Sequence, residues 1–126
     1  MKYIGTMLTS NQDAQGDRFS GEALQRGAET AKDKRVIRDF NARMLVGSVK
    51  GVEVIESTVT VKVEVDEWGD RYIELYNPVY AVPGGTIIKS HEENGVRVID
   101  NMSIDWVSLT LFPSDPTLQP LQRVES

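Results

Sequence analysis

Cysteine is absent from the chain, and histidine occurs once, at His91. Without thiols there is no disulfide, no iron–sulfur cluster and no thiolate zinc site. A single imidazole removes any His-pair metal site, and any histidine-based catalysis has to run through His91. No cofactor or bound metal is expected. No stretch approaches about eighteen consecutive apolar residues, so no transmembrane helix and no membrane partner are expected. The opening Met1–Thr6 lacks the apolar run of a signal peptide and reads as a strand. The expectation is a protein made and used inside a cell, or inside something assembled in one.

What is present fits one folded domain. The 126 residues are 40% hydrophobic and 26% charged. A chain of this size buries about 67% of its unfolded surface, enough for a core. Residues 1–126 are therefore expected to form a single domain, with 113–126 as a tail that docks on it or on a partner. The net charge of -5 disfavours broad nucleic-acid affinity. It divides unevenly: residues 1–50 carry nine bases against six acids, and the remainder five against thirteen.

Tyr3 to Leu8 is expected to be a strand, and Thr9 to Asp17 a shaped loop of residues that hydrogen-bond their own backbone. Ser20 is a good N-cap for a helix from Gly21 to about Lys32, with Ala23, Leu24, Ala28 and Ala31 on one face. Gly27 costs that helix about 1 kcal/mol relative to Ala and allows close packing on a sheet. Val36–Phe40, Met44–Val49 and Gly51–Glu56 read as extended. Thr58–Val65 carries the clearest pattern, Val59, Val61, Val63 and Val65 alternating with polar residues. Asp66–Asp70 reads as a turn and Arg71–Tyr76 as a strand stopped by Asn77-Pro78. Val79–Val82 is expected to end at a turn, Pro83-Gly84-Gly85-Thr86. Asn94-Gly95 between Thr86–His91 and Val96–Asn101 signals a hairpin. Ser103–Phe112 closes the sheet, and Leu118, Leu121 and Val124 would dock the tail. The fold class is α+β: a mostly antiparallel or mixed sheet, or small barrel, with one main helix.

Few residues suggest chemistry. Lys89-Ser90-His91-Glu92 gathers catalytic residue types, but strand neighbours point to opposite faces, so Ser90 and His91 pair poorly. The carboxylate pairs Asp66-Glu67 and Glu92-Glu93 flank turns, and nothing suggests a cleft between them. Asp13 and Asp17 bracket Gly16 without EF-hand spacing. The basic cluster Arg26, Lys32, Lys34, Arg35, Arg38 and Arg43 reads either as a solvated face or as a patch that docks an acidic protein surface or nucleic acid. Poor aromatic interleaving argues against base stacking.

Four stretches, in order, resemble the prohead maturation proteases of tailed bacteriophages, whose fold is similar to herpesvirus assemblin. The first is Tyr3-Ile4-Gly5 followed by Asn11, Asp13, Gly16-Asp17, Phe19 and Ala23-Leu24. The second is Leu45-Val46-Gly47-Ser48-Val49, and the third is Thr58–Val65. The fourth is Asp105–Pro116, with Val107, Leu109, Pro113 and Pro116 in family positions. The resemblance implies a prohead-protease-like barrel, but not its chemistry. Phe40 stands nearest the place of the family's histidine and cannot accept a proton. The region matching the nucleophile, Tyr76–Thr86, holds no serine, and Asn77-Pro78 disfavours a helix there. Ser108 matches a strand serine, not the nucleophile. The expectation is a non-enzymatic virion protein: a decoration, cement or minor capsid component that contacts the major capsid protein, other virion proteins or copies of itself. Arg26, Lys34, Arg35, Arg38, Arg43 and the tail would make the contacts, and an exposed strand edge could add backbone pairing. The rivals are an active maturation protease using His91 with Ser90, Ser103 or Ser108, and a small intracellular binding module unrelated to phages.

Overall fold

The computed structural model describes residues 1–11 and 13–124. Gln12, inside the expected first loop, and Glu125 and Ser126, the end of the tail, lie outside the described residues. The architecture is α+β, a mixed sheet with two helices. Its elements are β1 (Lys2–Thr9), β2 (Asp17–Phe19), α1 (Gly21–Ala31), β3 (Arg35–Arg38) and β4 (Asn41–Ile55). They continue with β5 (Thr58–Val65), α2 (Glu67–Leu75), β6 (Tyr80–Glu93), β7 (Val96–Thr110) and β8 (Gln122–Arg123).

β5 behaves as its alternation demands. Val59, Val61, Val63 and Val65 are buried, and the strand is flanked on both edges by antiparallel partners, β1 and β4. β7 organises the other half of the sheet. β6 runs antiparallel along one edge, while β2 and β3 lie end to end, both parallel, along the other. From β7 the sheet continues through β3, β4, β5 and β1 to β8. It rolls until β1 and β6 come close, and the tail lies in the seam between them. The Thr6 N–H donates to Gln119 O at 3.3 Å on one side, and the Leu121 N–H to Val79 O at 2.8 Å on the other. Leu118 and Leu121 are buried there, which places the tail on its own domain.

α1 starts where its cap requires, with Ser20 Oγ accepting from the Ala23 N–H at 3.1 Å. Its small apolar face lies on β7: a Cβ on Gly27 would come within 3.2 Å of Met102 Cγ. Ala23, Leu24, Ala28 and Ala31 are buried, as the spacing predicts.

Several expectations are corrected. The turn Asp66–Asp70 and strand Arg71–Tyr76 are together one helix, α2, so the described residues form two helices rather than one main helix. Asp66 caps it, accepting from the Gly69 N–H at 2.9 Å. Gly69, Tyr72 and Ile73 form its buried face, and that spacing is helical. The extended run ends at Arg38, because Asp39 and Phe40 turn the chain with φ of 52° and 58°. Met44–Val49 and Gly51–Ile55 belong to one strand, bulged at Lys50, and Glu56 turns the chain with φ of 55°. Pro83-Gly84-Gly85-Thr86 is not a turn but the middle of β6, where Pro83 sits opposite Val107. Proline is tolerated because β6 is an edge strand and needs no donor on its outer side. Val96–Asn101 and Ser103–Phe112 are likewise one strand, β7, ending at Thr110.

Candidate functional site

Phe40 stands in the β3–β4 turn, with its ring edge-on to Trp106 at 6.0 Å between centroids. Its N–H donates to Ser108 Oγ at 2.9 Å, and the Ser108 hydroxyl donates to Leu109 O at 3.2 Å. Ser108 is fully buried, so its oxygen stabilises the turn and has no access to a substrate. Tyr76–Thr86 holds no helix, in line with the effect of Asn77-Pro78.

His91 lies near the exposed end of the β6–β7 hairpin. Its Nδ1 is 2.5 Å from Asp100 Oδ2 and its Nε2 is 3.3 Å from Glu93 Oε2. The hydrogen bonds to Asp100 and then Glu93 raise its pKa above the ordinary imidazole value. Both ring nitrogens are thus spent on carboxylates. Ser108 sits opposite Val82, nine positions along β6 from His91, which at the strand rise is about 30 Å. Ser103 sits opposite Thr86, five positions away, about 16 Å. Ser90 is adjacent and exposed, and among the described residues no hydrogen bond joins it to His91.

The basic residues are spread over three elements and the turns between them. Arg26 pairs with Glu22 on the outer face of α1 at 3.0 Å. Arg38 lies over the Tyr72 ring, 5.1 Å from its centroid, with Nε 3.4 Å from Asp39 Oδ2 but without a hydrogen bond. The Tyr72 hydroxyl donates to Asp39 Oδ1 at 2.7 Å, and burial with this bond pushes the phenol's pKa up. Arg35 is exposed and Lys34 half-buried, and Arg43 projects from the start of β4.

A cleft of about 370 Å³ opens between β1, the inner part of β6 and the tail, and neither carboxylate pair, Asp66-Glu67 or Glu92-Glu93, lines it. Met7, Phe19, Ile99 and Met102 line its depth. Phe40 and Phe112 flank its mouth, the latter 87% exposed. Its polar edge comes from the two motif stretches at opposite ends of the chain, which meet here. Asp13 accepts from the Gln15 and Asp17 N–H groups at 2.9 and 3.0 Å, and Gly16 takes φ of 85°, which closes the loop before β2. Asp17 binds Arg97 through two bonds of 2.8 and 2.7 Å, which hold its carboxyl below the usual range. Asp115 is buried and accepts from the Thr9 and Thr117 hydroxyls and, at 2.9 Å, from the Thr117 N–H. The Ala14 N–H reaches Ser114 O at 2.9 Å. Pro113 borders the cleft and Pro116 is exposed beyond it. Asp115 was legible only as part of a Pro-x-Asp-Pro turn. Its partner Thr9 is 106 residues away, and no local pattern announces such a bond.

Asp13 Oδ1 is occupied by two backbone donors, and both Asp17 oxygens bind the Arg97 guanidinium. Among the described residues no cluster of three His, Asp or Glu side chains could hold a metal ion. Nor is any helix long and apolar enough to cross a membrane. No protein-family model, no curated protein and no solved structure matches this chain.

Proposed function

We propose that this chain is a non-enzymatic structural protein, a virion or assembly component of a tailed bacteriophage built on a shortened prohead-protease-like barrel. It works by burying surface against the major capsid protein or other virion proteins. The observation that carries this reading is the order of the four motif stretches without a base or nucleophile at the expected positions. Phe40 takes the place of the base, and Tyr76–Thr86 lacks a serine. Support also comes from the meeting of the first and fourth stretches through Thr9–Asp115 and Ala14–Ser114. A retained shell without its chemistry is suited to binding.

Mass spectrometry of purified virions and proheads tests it. The protein is expected in one or both at a fixed ratio to the capsid protein, and its absence from both overturns the proposal. Co-expression with capsid and scaffold proteins tests the catalytic side. Processing is expected to be the same with wild type, with His91→Ala and with no copy of this chain. Processing that depends on His91 would make the protein a protease.

A further inference from the structure

The seam of the barrel offers two features that could receive another chain, and they are not equivalent. Residues Gly85 to Glu93 of β6 are exposed, and among the described residues the strand pairs on one side only, with β7. It is also blunted. Pro83, three register shifts and the charged Lys89, Glu92 and Glu93 lie along it. Those are the devices by which natural sheets prevent strand addition. These features disfavour strand addition at this edge.

The start of β4 is built the opposite way. Arg38 pairs with Asn41, but Ile37 pairs next with Leu45. Ala42, Arg43 and Met44 are thrown out of the ladder, and all of Asn41–Leu45 is exposed, with Leu45 at 58%. Among the described residues Arg43 makes no ion pair. Its N–H is held by Asn41 Oδ1 at 3.0 Å, which stiffens the bulge. The bulge thus presents two adjacent apolar side chains, Met44 at 36% and Leu45 at 58% exposure, beside Arg43.

The cleft complements it. Its depth is apolar, and its edge carries Asp13, Asp17 and Asp115 against Arg97, two negative charges in excess. Phe40 borders the cleft, and the bulge begins two residues later at Ala42, so chain connectivity keeps the two surfaces close together. We infer that two copies of this chain associate through this face, each inserting Met44 and Leu45 into the partner's cleft with Arg43 at its acidic edge. Because donor and acceptor adjoin, a two-fold axis satisfies both at once and the assembly closes at two. Phe40 and Phe112, otherwise exposed, are covered in the process. This pairing stands independently of any role in a virion.

Sedimentation velocity on the full chain across a wide concentration range tests the inference, with circular dichroism to confirm folding. The wild type is expected to show a monomer–dimer equilibrium without larger species. Leu45→Asp and Phe112→Ser change exposed side chains, so both are expected to fold, and each is expected to weaken dimerisation at least tenfold. Arg43→Glu is expected to weaken it further in low salt than in high salt. A wild type that stays monomeric throughout, leaving the cleft to another protein or ligand, overturns the proposal. So does a dimer that these substitutions leave intact, or an open-ended polymer.

Discussion

His91 shows how a reactive residue type becomes a structural one. Asp100 is the diagonal cross-strand neighbour of His91, set in a bulge where Ser90 pairs with Ile99 and Lys89 with Asn101. The sequence reading placed the imidazole at a hairpin end, but its carboxylate partner depends on a register that no local pattern specifies. The raised pKa leads to a prediction. The ring-proton NMR titration of His91 is expected to have a midpoint above about 6.5, the unperturbed value. Asp100→Asn is expected to lower it. The sign for stability follows from the same shift. The contribution is fully present below the unfolded pKa and is lost as pH rises through the folded one. Asp17 runs the other way: lowered by Arg97, its contribution is present above the unfolded pKa and lost as pH falls through the folded one. Gly47 makes a sharper case. A Cβ there would lie 2.1 Å from Glu64 O, where β4 crosses β5, and backbone cannot step aside. Gly47→Ala is expected to lower stability by about 2–3 kcal/mol in urea denaturation. The sequence marked this glycine through family resemblance, and the close strand approach is its physical reason.

The elements that were legible are those with an unbroken period. β5 alternates cleanly, and α1 has a cap, an acid in the first turn and one small apolar face. α2 was misread because Arg71–Tyr76 contains Tyr, Ile and Tyr, which favour strands. The overlooked signal was Asp66 as N-cap with Glu67 and Asp70 in the first turn. Asp66→Ala is expected to cost about 1 kcal/mol. The long strands were misread for another reason. Bulges at Lys50, Ile88, Asp100 and Asp105 interrupt the period of two without ending the strand. Glycines then occur inside strands, and a local rule reads them as turns. Gly84 is needed because Trp106 covers it; a Cβ would fall 2.0 Å from the indole ring. The tail was legible through Leu118 and Leu121 but not in its role, which is to fill the seam between β1 and β6. Leu121→Ala is expected to lower stability by about 2–4 kcal/mol. Chemical denaturation followed by tryptophan fluorescence measures it. An unchanged midpoint would mean that the tail merely rests on the barrel.

The topology is held together by pairs distant in sequence. β2 and β3 each pair in parallel with β7, Thr9 meets Asp115 across 106 residues, and Met1 bonds Val65 O across 64. The uneven charge is knitted across the same distances, with Arg18 near Glu93 at 3.6 Å and Asp17 bound to Arg97. Most of the loop-closure cost must therefore be met before these contacts form, and such sheets fold slowly. The main refolding phase in stopped-flow fluorescence is expected on about the millisecond-to-second range, well away from the microseconds of helical bundles. The tail can add its contacts only after β1 and the approach to β6 are in place, since it bonds to Thr6 in β1 and to Val79 just before β6. Its stabilisation should accordingly be absent from the transition state. Leu121→Ala is then expected to speed unfolding by nearly the full measured loss while leaving the refolding rate within about twofold. Comparable slowing of refolding would place the seam, and with it the walls of the cleft, among the first parts of the barrel to form.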